Sequence, residues 1–198
     1  MQFGVSEAVE YWGKYRPENI AVYYNNKSLS YKSLNHKVDQ FANYLLTMQI
    51  EDERIGIAIN TKINFLICLL AILKLGKSVV TLNVGLPSES LQLNVEDTKV
   101  NYIVVEAGTK TKFKREGLKL IDFGLAKMDE IFHIVKISLR QPTDEWGVLF
   151  SSGTTGIPKG VERDHNSIIT ELLGWCLELG LNRRSSFYIG RPIFYTGG

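Results

Sequence analysis

The sequence predicts an α/β fold, a doubly wound and largely parallel sheet with helices on both faces. Three observations carry this. Short β-branched or apolar runs alternate with helical periodicity through the first half of the chain. The run at 54–60 alternates into a strand, 78–82 and 102–105 read as further strands, and the order strand, helix, strand, helix, strand implies a parallel sheet covered on both faces. The connections between them are long enough to hold crossover helices, which parallel neighbours require.

Residues 5–15 read as a short first helix. Residues 20–24 and 28–31 read as a hairpin across Asn25-Asn26, because asparagine tolerates positive φ. Leu34, Val38, Phe41, Ala42, Leu45 and Leu46 recur at helical spacing, predicting an amphipathic helix over 31–48 with Ser30 as N-cap. The strand at 54–60 leads to a helix over 61–75 that stops at Gly76, a fitting residue just beyond a helix end. The next helix, 87–97, opens with Pro87 in its first turn. The basic stretch 108–119 reads as a solvated loop. Residues 146–150 form a strand, 161–163 a short strand, and 166–179 a helix ending at Gly180.

At 198 residues the chain can build one domain with a real core, burying roughly 70% of its unfolded surface. A net charge of +2 gives no argument for nucleic acid or an acidic partner. The longest apolar stretch, 63–75, is too short to cross a bilayer, and residues 1–15 lack the pattern of a signal peptide. The expectation is a cytoplasmic protein without integral membrane contact, with Cys68 and Cys176 as buried free thiols. His36, His133 and His165 lack metal-ligand spacing. Asp122-Phe123-Gly124 imitates the kinase magnesium motif, but the other kinase elements are missing and the match reads as coincidence.

The chemistry concentrates in Ser151-Ser152-Gly153-Thr154-Thr155-Gly156-Ile157-Pro158-Lys159-Gly160. Glycines let backbone N–H groups approach an anion, hydroxyls add neutral donors, and Lys159 adds a point charge. A polyphosphate asks for this combination. The loop is not the common phosphate loop, because Pro158 precedes Lys159 and Gly160 follows it where a hydroxyl belongs. It sits between two strands, so its anion affinity rests on a nest of N–H groups and not on a helix dipole.

This run resembles, position for position, the phosphate-binding signature [ST]-[SG]-G-[ST]-T-G-x-P-K-G of the adenylate-forming superfamily. Leu29-Ser30-Tyr31-Lys32-Ser33-Leu34 is similar to its early "TYxEL" element. Leu73-Lys74-Leu75-Gly76 with Val79-Val80-Thr81-Leu82 and Pro87 is similar to "LKAGxxxVPL…P", with Thr81 where the family usually has proline. Arg191-Pro192-Ile193-Phe194-Tyr195-Thr196-Gly197-Gly198 is similar to the "PLFHxxG" element of acyl- and aryl-CoA ligases, with Tyr195 in place of histidine.

The resemblance implies an ATP-dependent carboxylic acid–CoA ligase using Mg2+, with a small-molecule acid and coenzyme A as partners. Fatty acid is the first choice of acid and aryl acid the second. It assigns Ser151, Ser152, Gly153, Thr154, Thr155, Gly156 and Lys159 to ATP, Lys159 also to catalysis, Ser151 to the magnesium, and Tyr195 and Gly197 to the acid pocket. The family's later elements, among them the acidic magnesium residue and the small C-terminal domain with its lysine, do not occur in residues 1–198. The chain is therefore expected to be the front part of the large N-terminal domain, inactive by itself. A non-catalytic nucleotide-binding remnant or partner module, and an amino-acid adenylating domain, stay open as alternatives.

Overall fold

The computed structural model describes residues 4–114, 116–124, 138, 140–151 and 158–190. The first helix, α1 (Val5–Tyr15), leads into the hairpin β1 (Ile20–Tyr24) and β2 (Lys27–Ser30). Asn25 and Asn26 make its turn with φ of 45° and 59°, the left-handed conformation expected of them. Helix α2 (Tyr31–Thr47) follows at once, and the Ser30 hydroxyl caps it by accepting from the Ser33 N–H.

The central sheet begins with β3 (Arg54–Ala58), α3 (Lys62–Lys74), β4 (Ser78–Thr81), α4 (Ser88–Thr98) and β5 (Tyr102–Val105). It continues with β6 (Lys119–Asp122), β7 (Glu145–Ser151) and β8 (Lys159–Asp164), and α5 (His165–Glu178) follows. The spatial order is β6-β5-β3-β4-β7-β8. Every neighbouring pair is parallel except β7–β8, which is antiparallel.

Consecutive strand residues point to opposite faces, and both faces are buried. Ile55, Ile57, Val79, Val104, Trp146 and Leu149 join one core with α2 and α3, with α1 packed against those helices. Val80, Ile103, Val105, Val148 and Phe150 join the other with Leu91 and Val95 of α4. This two-sided burial is why the inner strands carry apolar residues on both faces.

Helix α3 ends as expected: Gly76 has φ +70°, its N–H donates to the Leu73 carbonyl, and the Lys77 N–H donates to the Ile72 carbonyl. Gly147 answers a different demand. A Cβ there would lie 2.3 Å from the Val79 carbonyl oxygen, because β4 and β7 approach too closely for any side chain. Gly147→Ala is therefore expected to push the two strands apart and cost about 1–3 kcal/mol, to be read from the chemical-denaturation midpoint.

Some expectations need correction. Pro87 is the N-cap of α4 and lies outside its first turn. The strand expected at 161–163 spans Lys159–Asp164, because it pairs along all of β7. Strand β6 is not expected from the sequence; its partner β5 lies across a basic segment that gives no strand signal. That segment is not simply solvated either: Lys112 Nζ donates to the Val84 carbonyl at 2.5 Å and to the Leu86 carbonyl at 3.1 Å, pinning the turn that leads to α4. Cys68 is buried, and burial pushes its thiol well up, but Cys176 is exposed on α5. Phe123 of the kinase-like triplet is a core residue whose ring centroid lies 4.6 Å from that of Phe41, in keeping with the reading of coincidence.

Candidate functional site

Strand β7 ends at the carboxyl edge of the parallel strands, the edge where ligands collect in doubly wound sheets. There it turns back into β8, and Ser151 pairs in register with Lys159. The Gly/Ser/Thr run is thus the connection of a hairpin whose stem is rigidly paired. The Ser151 hydroxyl donates to the Lys159 carbonyl at 3.4 Å, a weak bond across the base of the connection. Lys159 is exposed, and its ammonium meets no partner among the described residues. Ser152, Gly153, Thr154, Thr155 and Gly156 lie outside the described residues, as do Tyr195 and Gly197.

The start of α3 at this edge faces a carboxylate. The Glu106 carboxylate accepts from the N–H groups of Asn60 and Thr61 at 3.2 and 3.3 Å and from Asn64 Nδ2 at 2.7 Å. It takes the N-cap N–H of α3 and places a negative charge at the helix start, which disfavours an incoming anion. The start of α3 is therefore a poor seat for an anion. No group of three or more His, Cys, Asp or Glu side chains among the described residues could hold a metal ion.

The hairpin stem is fixed to the body by Arg54 at the start of β3. Arg54 Nε donates to Glu145 Oε1 at 2.8 Å, Nη2 to Glu145 Oε2 and to Glu162 Oε1, and Nη1 to the Thr98 carbonyl at 3.2 Å. One guanidinium ties β3, α4, β7 and β8 together, using the fork geometry that lysine lacks. The Glu145 hydrogen bond raises its pKa most, burial opposes this, and Glu162 adds to the rise. Nothing local could have paired Glu162 with a residue 108 positions away.

At the far end of β8, Asp164 caps α5 by accepting from the Ser167 N–H at 2.6 Å, and this bond holds its carboxyl below the usual range. His165 opens the helix. Burial lowers its pKa first and Arg140 next, against Glu7, Asp144 and Asp164. The folded state thus resists protonating His165 while the unfolded chain takes the proton near pH 6.5. Stability should fall as pH drops below about 6.5. His165→Asn should flatten that part of a plot of thermal midpoint against pH.

The fold and the loop define a class before any comparison: a doubly wound α/β domain carrying a Gly/Ser/Thr-Lys hairpin connection at its carboxyl edge. The family model for AMP-binding enzymes matches residues 9–197. The chain belongs to the AMP-binding, adenylate-forming enzyme family.

Bacitracin synthase 1 of Bacillus licheniformis is 27% identical over 188 residues, 93% of this chain and 4% of that protein. Tyrocidine synthase 1 of Brevibacillus parabrevis is 28% identical over 157 residues, 77% of this chain and 14% of that protein. Among solved structures, o-succinylbenzoate CoA synthetase (MenE) from Bacillus subtilis, in complex with its acyl-adenylate intermediate, superposes with a TM-score of 0.81 at 18% identity. That match covers 97% of this chain and 50% of the synthetase. The same enzyme in complex with ATP and magnesium ion gives 0.82 at 19% identity, over 94% of this chain and 51% of that one. The chain spans about half the length of these solved structures and a small part of the curated synthases. Among the described residues, no helix is long and apolar enough to cross a membrane.

Proposed function

We propose that this chain is the front part of the N-terminal domain of an acid–thiol ligase, and that its β7–β8 connection holds the triphosphate of ATP while a carboxylic acid is activated. The observation that carries the reading is the pairing of Ser151 with Lys159 at the carboxyl edge, which places at the base of the connection an ammonium with no partner among the described residues. In the proposed reaction a carboxylate oxygen attacks the α-phosphorus of ATP. The bond from that phosphorus to the β-bridging oxygen breaks, and pyrophosphate leaves with the electron pair. A thiol, that of coenzyme A in this reading, then displaces AMP and takes the acyl group.

The protein's part is positioning and charge compensation. The N–H groups of residues 153–156, the hydroxyls of Ser151, Ser152, Thr154 and Thr155, and Lys159 are the proposed grip. Among the described residues the Ser151 hydroxyl makes one weak hydrogen bond, as donor, and in this reading its oxygen faces a magnesium ion. The ion would offset phosphate charge when bound. Tyr195 and Gly197 are the proposed start of the acid pocket.

The class of acid is the finer question. Fatty acid draws no support from the relatives, which are named as synthases of the peptides bacitracin and tyrocidine, or from the structures, one of which is an o-succinylbenzoate CoA synthetase. An aryl or amino acid is the better first substrate. The test is ATP–pyrophosphate exchange by a protein that joins this chain to the remainder of the domain, assayed with aryl, amino and fatty acids in turn. Exchange that depends on one acid class is expected. Hydrolysis of ATP with no acid requirement would sink the reading.

A further inference from the structure

The structure describes six arginines, and they divide into two groups. Arg54, Arg140 and Arg163 each face a carboxylate. Arg16, Arg183 and Arg184 meet no carboxylate among the described residues, and all three line one cleft of about 190 Å3 together with Trp12 and Asn19. Glu18, the carboxylate nearest to them in sequence, is turned to Lys32 at 3.9 Å.

Local structure sets this convergence. Arg16 closes α1, and its N–H donates to the Trp12 carbonyl at 2.8 Å. The turn after it is tied down where the Asn19 N–H donates to the Arg16 carbonyl at 3.1 Å and the Tyr31 N–H to the Asn19 carbonyl at 2.9 Å. On the other wall, the Asn182 side chain accepts from the Arg184 N–H at 2.9 Å, and its carbonyl accepts from the Ser185 N–H at 2.9 Å. That turn carries Arg183 and Arg184 side by side. Further along the same segment, the Ile189 carbonyl accepts from Lys62 Nζ at 3.0 Å. Trp12 is held against Tyr31, with ring centroids 6.2 Å apart.

Three guanidiniums gathered with no counter-charge among the described residues repel one another, and an anion between them removes that cost. Guanidinium forks match phosphoryl oxygens in geometry as well as charge. The cleft is smaller than the several hundred Å3 of a complete small-molecule pocket. It fits a phosphoryl group, with the rest of a ligand lying outside it.

We propose that the Trp12/Arg16/Arg183/Arg184 cleft is an anion site for a phosphate or diphosphate group, separate from the Ser151–Lys159 connection. The site goes beyond the proposed activity and does not depend on it. Its occupant is either free pyrophosphate or the diphosphate end of a nucleotide-like ligand.

The 198-residue chain itself serves for the test. Sodium pyrophosphate, inorganic phosphate and ADP are titrated separately while the Trp12 indole N–H and the Arg183 and Arg184 amides are followed by NMR, with Trp12→Phe assigning the indole signal. A saturable shift with pyrophosphate is expected, weakening with added salt. Arg183→Gln and Arg184→Gln should each weaken it roughly threefold to tenfold, and neither exposed change threatens folding. The shift should persist in Lys159→Ala, which separates this site from the connection. Equal affinities for pyrophosphate and ADP assign the diphosphate alone; tighter ADP assigns stacking on Trp12 as well. A shift that does not saturate, one indifferent to both glutamine changes, or one lost in Lys159→Ala would overturn the proposal.

Discussion

Lys74→Met is expected to destabilise the domain by about 3–5 kcal/mol, a large share of the roughly 5–15 kcal/mol that holds a typical domain folded. Lys74 is 1% exposed and Asp39 is 3% exposed. Their Nζ and Oδ1 lie 2.5 Å apart between α3 and α2, with Glu10 of α1 at 3.9 Å from the same ammonium. Removing the lysine leaves a carboxylate buried without its counter-ion, and the protein cannot hydrate it without opening the helix pair. The cost is the stranded charge and not the net worth of the pair. The double change Lys74→Met with Asp39→Leu should therefore recover most of the loss. Urea denaturation of the parent and both variants checks these statements. A single variant within about 1 kcal/mol of the parent would mean that water reaches the pair.

The second large effect concerns activity. In a protein that includes the rest of the domain, Lys159→Ala should slow acid-dependent ATP–pyrophosphate exchange by one to two orders of magnitude, each decade being about 1.4 kcal/mol of transition-state stabilisation. Because Lys159 is exposed and its ammonium has no described partner, its loss should leave stability within about 0.5 kcal/mol. That separates a chemical role from a structural one. Lys159→Arg should retain part of the rate, since charge is kept while geometry changes. Exchange kinetics unaltered in Lys159→Ala would remove this residue from the mechanism.

Much of the fold was legible because its signals are local. The asparagine pair at 25–26, the cap at Ser30, the glycine at 76 and the periodicity of α2 all act within a few residues, and each appears as expected. The family was legible for a related reason: ten contiguous residues carry its signature, and the family match over residues 9–197 includes them. In the sequence Lys74 stands out only as part of the Leu73-Lys74-Leu75-Gly76 element. That it is buried against Asp39 depends on how α2 packs on α3.

The sequence by itself determined the alternation of strands and helices and the family, because periodicity, turn chemistry and a contiguous motif are written along the chain. Tertiary structure alone decided that β6 extends one edge of the sheet, that Gly147 must lack a side chain, and that Glu106 closes the start of α3. It alone decided, too, that Arg54 clamps Glu145 and Glu162 from 91 and 108 residues away, and that three arginines from opposite ends of the chain share one cleft. Each of these depends on groups brought together by the crossing of the chain, and no local spacing encodes a contact across that distance.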